Sequence, residues 1–350
     1  MIIGIPKETM EGEKRVALTP EGAGKLIFNG HSLWIEKDAG AASGYSDKDY
    51  GTFSCSAKKA LIHAEKPGCM FITNKTDIFE SDLVVKVKNL ITEEYQILRP
   101  ELPVFSFQHF SGNPDLAQAF IDARATAIAF EEILLSNGKR PILIPMSQIA
   151  GEEAAKLGLG HRPTKGLKPK SLQKIKITLI GMGSVGKAAL NYFLDLGVFG
   201  MQIICLDKEA KKEDVQRNIT NSDIIIISAY PVPEMPIITR TMTDQMKSGS
   251  VIIDVCIDEG GGCEATREHG PTGPEESFLN NGVLYICPPN IPGVFAPEKA
   301  TLALEESLLP FLLEIADKGL EKTMKDNPII KNAVVIYKGK VLRKDLVKNV

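Results

Sequence analysis

The sequence is short of the residue patterns that bind metals or form disulfides. Six cysteines are spread over 350 residues without a C-x-x-C pair, and the five histidines also lack metal-ligand spacing. Cys205, Cys256 and Cys287 lie in or beside apolar segments, which favours buried free thiols over disulfides or zinc ligands. No metal is therefore expected.

The chain also has little net charge and no long apolar run. Its 41 Lys and Arg residues against 44 Asp and Glu give a formal charge of -3, so neither nucleic acid nor a membrane surface is indicated as the main partner. No segment approaches the length of a membrane span, and the N-terminus, MIIGIPKETMEGEKR, lacks the charged-then-apolar layout of a signal peptide. We expect a cytoplasmic protein that is long enough for two domains.

What the sequence does contain is a strand, a glycine loop and a helical pattern within Lys174–Asp207. The apolar run Ile175–Ile180 ends at Gly181, and Gly183 and Gly186 complete the G-x-G-x-x-G spacing. The segment continues with a helical pattern over 185–196 and a second apolar strand over 201–206. A strand, a glycine loop and a helix in this order are typical of a dinucleotide site.

Each part of the loop has a physical role in holding a pyrophosphate. Gly181 permits the tight turn, Gly183 lets backbone amides approach the phosphates, and Gly186 lets helix and strand pack closely. The free N–H groups at the helix start, around Ser184 and Val185, and the positive end of the helix dipole both favour an anion. An ordinary structural turn is the competing interpretation of the glycines.

The residue after the second strand indicates the cofactor. Asp207 is placed to accept hydrogen bonds from the adenosine ribose, and its charge would repel the additional phosphate of NADP. NAD is therefore the expected cofactor. Lys208, which follows directly, keeps NADP open as a second possibility, because a lysine there can hold a 2′-phosphate.

Strand and helix patterns alternate along the rest of the chain and predict an α/β fold with doubly wound parallel sheets. A long amphipathic helix over 296–318 contains Pro310, where a kink is expected, and Val334–Tyr337 can add a strand to the first domain. We therefore expect a discontinuous first domain (1–140 and 297–350), a dinucleotide domain (141–296) and an active site in the cleft between them. Ser147 is expected to cap a helix over 148–157, and 160–174 to form an exposed loop.

Several segments resemble the alanine dehydrogenase and transhydrogenase α-subunit family nearly from end to end. They are IGIPKET with EKRVALTP, SDLVVKVK, FSFQHF, PILIPMSQIAG, the glycine loop, VIIDVCIDEGGGCE, NIPG and LPFLLEIADKG. The resemblance implies two Rossmann-like domains, with the substrate domain split between the chain ends. It also implies a homo-oligomer.

The resemblance assigns roles to individual residues. Arg15 would bind the substrate carboxylate, Lys88 would bind the substrate oxygens and polarise the carbonyl, and His109 would be the acid/base. Asp258 would complete the catalytic group. Cofactor contacts are implied for Ser147, Asp207 and Asn290.

If the family resemblance is set aside, each of these side chains also has a purely structural interpretation. Arg15 would be a solvated loop arginine, Lys88 an edge-strand charge, His109 a structural strand-end histidine and Asp258 a turn carboxylate. Two further sets of acids are left outside the predicted site: Asp254, which lies inside an apolar strand, and the pair Glu131 and Glu132, taken as a solvated helix start.

The resemblance implies an NAD-dependent amino-acid dehydrogenase that carries out reversible oxidative deamination of a small L-amino acid, with alanine and pyruvate as the first pair to test. The chain has Asn89-Leu90 after KVK where the family has Glu-Pro, and Phe110-Ser111-Gly112 after the histidine where the family has Leu-Ala. These changes keep a second activity open, the reductive condensation of a keto acid with a second amino acid. A transhydrogenase-like NAD-binding subunit also stays open, whereas the presence of Arg15, Lys88, His109 and Asp258 argues against an inactive NAD sensor.

Overall fold

The structure, a computed structural model, describes residues 1–51, 69–161, 174–198, 202–229 and 235–347. It divides into two compact units, Met1–Pro145 with Pro297–Val350, and Met146–Ala296. Cys55, the KPG segment at 66–68 and most of the predicted loop over 160–174 lie outside the described residues.

The described part of the chain contains strands and helices in alternation. The strands are β1 (Ile2–Ile5), β2 (Ser32–Glu36), β3 (Met70–Thr73), β4 (Leu83–Val85), β5 (Pro103–Ser106), β6 (Thr126–Ala129), β7 (Ile177–Ile180), β8 (Ile203–Leu206), β9 (Ile224–Ile227), β10 (Val251–Asp254), β11 (Phe278–Asn280), β12 (Val283–Ile286), β13 (Val334–Tyr337) and β14 (Lys340–Val341). The helices are α1 (Pro20–Phe28), α2 (Asp47–Gly51), α3 (Lys75–Ile78), α4 (Pro114–Asp122), α5 (Leu143–His161), α6 (Ser184–Asp195), α7 (Lys212–Ile219), α8 (Arg240–Thr243), α9 (Glu264–His269), α10 (Ile291–Phe295), α11 (Pro297–Lys318), α12 (Leu320–Asp326) and α13 (Pro328–Ala333).

The sheet of the first unit runs in the order β14-β13-β6-β5-β4-β1-β2-β3. Strands β1 to β6 are parallel, so this part of the sheet has the doubly wound order 3-2-1-4-5-6. Their side chains are largely buried, as expected of parallel strands covered by helices on both faces. The strand order reverses between β1 and β4, and the carboxyl ends of these strands therefore flank the position where such folds bind ligands.

The C-terminal segment completes the first unit. Strand β13 pairs antiparallel with β6, as Val334 faces Ile128, which confirms the predicted strand over Val334–Tyr337. Helix α11 contains Glu305, whose carboxylate accepts the backbone N–H of Thr19 at 2.5 Å and its hydroxyl at 3.1 Å. Because Thr19 is itself the N-cap of α1, the returning helix holds the first helix in place.

The sheet of the second unit runs in the order β11-β12-β10-β9-β7-β8, and all its strands except β11 are parallel. Counted from β7, the parallel strands have the order 2-1-3-4-5, which reverses between β7 and β9. The glycine loop follows β7 and therefore begins at this reversal.

The predicted α/β class with two doubly wound sheets is confirmed. The proposed cap at Ser147 is wrong, because α5 begins at Leu143 and Ser147 lies inside it. Pro145 does not prevent the earlier start, since the first turn of a helix has N–H groups without helical partners. Within the described residues, no helix combines the length and the apolar character needed to span a membrane.

The cysteines are mostly as expected. Cys69, Cys256, Cys263 and Cys287 are free and buried. Cys205 is exposed, which contradicts the prediction for that thiol. It lies on β8, an edge strand, where side chains are covered on fewer sides than in the centre of a sheet.

Candidate active site

Three of the predicted site residues follow three neighbouring strands of the first sheet. Arg15 lies in the loop after β1, Lys88 in the loop after β4, and His109 in the loop after β5. The loops after β4 and β5 remain in register beyond the strands, as the N–H of Phe107 donates to the carbonyl of Val87 at 3.0 Å. The structure therefore places all three residues at one edge of the sheet.

Glu8 ties the first of these loops to the second. Its carboxylate accepts the backbone N–H groups of Val87 at 2.6 Å and Lys88 at 3.3 Å, and its side chain is only 2% exposed. Burial raises the pKa of Glu8 to about 7, against the opposing charge of Lys86 at 3.8 Å and with a further increase from the charge of Glu13. The position of Lys88 thus depends on a buried carboxyl group.

Lys86 is a buried cation behind Lys88. Its side chain is inaccessible to solvent and donates to Glu94 at 2.9 Å and to the carbonyl of Asn89 at 3.3 Å. The Glu94 carboxylate also accepts hydrogen bonds from the ammonium group of Lys75 and from the hydroxyl of Thr9, each at 3.0 Å. A buried charge requires such partners, so Lys86 is held within the protein, in contrast to the half-buried Lys88.

Arg15 is buried and held by a carboxylate two residues earlier. The Nε and Nη2 groups donate to the two oxygens of Glu13 at 2.8 Å and 2.5 Å, and the backbone N–H of Arg15 donates to the same carboxylate at 2.9 Å. Burial acts to raise the pKa of Glu13, but the charge and hydrogen bonds of Arg15 and the charge of Lys88 lower it to about 2. One carboxylate against two cations leaves one positive charge, which suits an anionic substrate.

His109 has a left-handed backbone (φ 48°, ψ 44°) that is fixed from both sides. Its N–H donates to the carboxylate of Glu131 at 2.7 Å, and its carbonyl accepts the side-chain amide of Asn113 at 2.9 Å and the N–H of Gly112 at 3.1 Å. The imidazole is exposed and stacks on Phe107, with ring centroids 5.8 Å apart. The loop therefore presents this ring from a defined backbone position.

The interpretation of Glu131 and Glu132 as a solvated helix start is wrong. Glu131 accepts the N–H groups of Gln108 and His109. Glu132 is buried and pairs with Arg140 at 3.1 Å and Arg343 at 3.4 Å. Both carboxylates support the loops at the end of the sheet.

The glycine loop of the second unit has the geometry that the spacing predicts. Gly181 has a positive φ of 93°, and a Cβ there would lie 2.5 Å from the backbone nitrogen of Ala229. A Cβ on Gly186 would lie 1.9 Å from the carbonyl oxygen of Gly181. A Cβ on Gly183 would meet no described atom within 4 Å. The loop is therefore tight at its two ends and open at its centre, where a pyrophosphate would approach.

The start of helix α6 fits an anionic ligand. Gly183 is its N-cap and supplies no side-chain hydrogen bond, so the N–H groups around Ser184 and Val185 have no side-chain cap. A Cβ on Gly151 of α5 would lie 2.1 Å from the carbonyl oxygen of Val185. Ser147 is one helical turn before Gly151 and shares its face of α5, the face that approaches the glycine loop.

Asp207 is exposed at the end of β8, and its carboxylate accepts the N–H of Met182, in the glycine loop, at 3.4 Å. It thus lies beside the loop, as expected of a ribose-binding acid. The Lys208 side chain is 85% exposed and lies 3.8 Å from Glu209.

Asp258 and Asn290 are brought together in the second unit. The Asp258 carboxylate accepts the backbone N–H of Asn290 at 3.0 Å. Asn290 has a positive φ of 51° and immediately precedes α10. Among the described residues no group of three His, Cys, Asp or Glu side chains is arranged to hold a metal ion.

Sequence reasoning missed the carboxylates that position these groups, which are Glu8, Glu13, Glu131 and Asp254. Glu13 had a sequence signal, because an acid two residues before a predicted substrate-binding arginine is close enough to pair with it. Glu8 and Glu131 accept backbone N–H groups from residues that are distant in sequence. Asp254 accepts them from a loop whose shape depends on the fold. The local sequence therefore gave no indication of these three roles.

Comparison with known proteins gives a match over most of the chain. The N-terminal domain of the family Alanine dehydrogenase/PNT matches residues 4–150, and the C-terminal domain matches residues 197–344. Alanine dehydrogenase of Bacillus subtilis (strain 168) is 34% identical over 97% of this chain and 92% of its own length. Alanine dehydrogenase of Staphylococcus haemolyticus (strain JCSC1435) is 30% identical over 98% of this chain and 95% of its own length.

Solved structures give the same result for the fold. An L-alanine dehydrogenase superposes with a TM-score of 0.84 at 25% identity, covering 99% of this chain and 98% of its own. The transhydrogenase from Sinorhizobium meliloti gives a TM-score of 0.78 at 22% identity, covering 99% of this chain and all of its own, and supports the fold alone.

The buried carboxyl of Glu8 predicts a pH dependence of stability. A carboxyl group that titrates at 4.5 when unfolded and at about 7 when folded stabilises the protein fully below pH 4.5, and this stabilisation is lost as the pH rises through 7. Glu8→Gln cannot ionise. We expect the difference in free energy of unfolding between this variant and the unsubstituted protein to change by up to about 3 kcal/mol between pH 5 and pH 8, in favour of the variant at high pH. Guanidinium denaturation across this range measures it.

Glu11→Gln is the matched control, because Glu11 is an exposed carboxylate in the same loop. Glu13 does not interfere, since its lowered pKa makes a contribution that is present above pH 4.5 and is lost only as the pH falls towards 2. A Glu8→Gln variant with the same pH dependence as the unsubstituted protein would contradict the assignment.

Proposed function

The chain belongs to the Alanine dehydrogenase/PNT family and is an oxidoreductase that acts on CH–NH2 groups, and from this we propose that it is an NAD-dependent dehydrogenase of a small L-amino acid. Alanine and pyruvate are the first pair to test. The observation that carries the proposal is the placement of Arg15, Lys88 and His109 on three neighbouring loops at one edge of the first sheet, with Glu13 leaving one net positive charge between the two cations.

In this proposal the first unit binds the amino acid or keto acid. Arg15 takes the substrate carboxylate, and the fork to Glu13 fixes the plane of its guanidinium before the substrate arrives. Lys88 binds the substrate oxygens and stabilises the negative charge that develops on the carbonyl oxygen. Lys86, the other lysine beside this loop, is paired with the buried Glu94 and is thereby kept away from the substrate.

His109 carries the protons. After the amino acid has been oxidised to an imine, the imidazole removes a proton from the water that adds to the imine carbon, and it returns a proton to the nitrogen as the C–N bond breaks and ammonia departs. An imidazole has one nitrogen that accepts a proton and one that donates, so it can act in both directions. Its left-handed backbone, held by Glu131 and Asn113, keeps the ring in position through both transfers.

The second unit binds the cofactor, which supplies the hydride acceptor. The glycine loop (Gly181, Gly183 and Gly186) and the N–H groups at Ser184 and Val185 receive the pyrophosphate, and Asp207 receives the adenosine ribose. Ser147 and Asn290 contribute further cofactor contacts, and Asp258, from the same unit, completes the catalytic group. The absence of a Cβ at Gly183 and the uncapped start of α6 support this assignment.

The first experiment measures NADH oxidation by the purified protein with pyruvate and ammonia, then with a panel of keto acids. Amino acids replace ammonia in a second series, and NADPH replaces NADH in a third. Turnover with ammonia and NADH is the expected result. Turnover that requires a second amino acid as the amine would instead establish reductive condensation, and failure with every keto acid and amine would contradict a dehydrogenase.

His109→Asn tests the acid/base. Asparagine tolerates a left-handed backbone, so the loop is retained while the proton-transfer group is lost. We expect kcat to fall by roughly a hundredfold to ten-thousandfold, while the Kd for NADH, measured by fluorescence titration, stays within twofold. His161→Asn is the control, since this histidine lies at the end of α5. Near-normal turnover of His109→Asn would show that another group transfers the proton.

Asp207→Ala tests the cofactor preference. Loss of the carboxylate removes the ribose contact and the repulsion of a 2′-phosphate, so NADH binding should weaken about tenfold and the preference for NADH over NADPH should shrink. Lys208→Ala is the control at the neighbouring position, and it should leave the Kd for NADH and the Kd for NADPH unchanged. If Lys208→Ala weakens NADPH binding while Asp207→Ala changes neither, the protein prefers NADP through Lys208.

A further inference from the structure

Asp254, the last residue of β10, has an unusual concentration of hydrogen-bond donors around it. Its side chain is fully buried. One oxygen accepts the N–H of Cys256 at 3.1 Å, and the other accepts the N–H of Gly262 at 2.8 Å, the N–H of Cys263 at 3.1 Å and the hydroxyl of Thr266 at 2.5 Å. No ion pair to this carboxylate is found in the described parts of the chain, and burial raises its pKa against these hydrogen bonds.

These bonds close the loop that carries Asp258. Cys256 precedes Asp258 by two residues and Gly262 follows it by four, and both are bonded to the same carboxylate. The carbonyl of Cys256 also accepts the N–H groups of Glu259 and Gly261, at 2.9 Å each. The loop therefore wraps around Asp254 with both of its ends fixed, while Asp258 itself is exposed.

The three glycines after Glu259 permit this wrapping. Gly260 and Gly261 have positive φ angles of 95° and 78°. A Cβ on Gly262 would lie 2.4 Å from Ile227 of the neighbouring strand. Consecutive backbone N–H groups directed at one carboxylate form an anion-binding turn, and here the anion is part of the protein.

We propose that Asp254 is a positioning residue for the reaction, because it sets the place of Asp258 through the loop over 255–263. This inference rests on the proposed function, in which Asp258 belongs to the catalytic group. The middle of the loop is also held, since the carboxylate of Asp258 accepts the backbone N–H of Asn290. Displacement of a reacting group by about 1 Å can reduce a rate by roughly a hundredfold, so the four bonds have a kinetic consequence beyond stability.

The test compares Asp254→Asn with Ser250→Ala. Ser250 is a fully buried residue just before the other end of β10, and its hydroxyl donates to the carbonyls of Ser222 and Lys247 at 2.8 Å each. Both variants lose buried hydrogen bonds in the same unit, but Ser250 has no bond to the Asp258 loop. We expect Asp254→Asn to lower kcat at least thirtyfold with NADH binding within twofold, and Ser250→Ala to keep kcat.

Thr266 provides a graded variant. Thr266→Val removes one donor to Asp254 at nearly constant volume and should lower kcat by about threefold to tenfold, while Thr266→Ser retains the hydroxyl and should restore it. Addition of Asp254→Asn to Asp258→Asn should cause no further loss, because both act through one side chain. Additive losses, or equal losses in kcat for Ser250→Ala and Asp254→Asn, would overturn the inference.

Hydrogen exchange gives a readout that does not depend on activity. The amides of residues 255–266 should exchange faster in Asp254→Asn and Thr266→Val than in the unsubstituted protein, and at an unchanged rate in Ser250→Ala. Unchanged exchange in Asp254→Asn would overturn the positioning role. Two other results would contradict the proposed function itself: full activity of the Asp258→Asn variant, or no turnover of any amino acid by the unsubstituted protein.

Discussion

Carboxylates that accept backbone N–H groups determine where the candidate functional side chains lie. Where a parallel strand ends, its backbone loses its ladder partners, and the N–H groups of the following loop need other acceptors. Glu8 supplies them for Lys88, Glu131 for His109, and Asp254 for the loop that carries Asp258. The same device thus recurs in both units, at the carboxyl ends of strands.

This arrangement assigns the acids and the bases of the first unit to different tasks. The acids Glu8, Glu13 and Glu131 turn inward, onto backbone N–H groups or onto Arg15. Lys88 and His109 are left with side chains that are half-buried and exposed. A charge buried without partners is costly, and the pairing of the acids therefore stabilises the fold.

The sequence predicted most of the elements and failed where distant groups decide the outcome. The glycine loop and the strand Val334–Tyr337 follow local rules of turn geometry and periodicity, and they are found as predicted. The helix starts at Leu143, before the predicted cap at Ser147, because a first helical turn accepts Pro145. The roles of Glu8 and Asp254 arise from strand order and loop closure, which no local pattern records.

The return of the chain to the first unit has a consequence for its synthesis on the ribosome. Residues 146–296 form a continuous unit that can fold as soon as they have emerged. The first unit has to wait for its last quarter, since β13 extends its sheet beyond β6 and Glu305 binds Thr19 at the start of α1. The segment that contains Arg15, Lys88 and His109 is therefore translated first and completed last, and until then the edge of its sheet at β6 is unpaired.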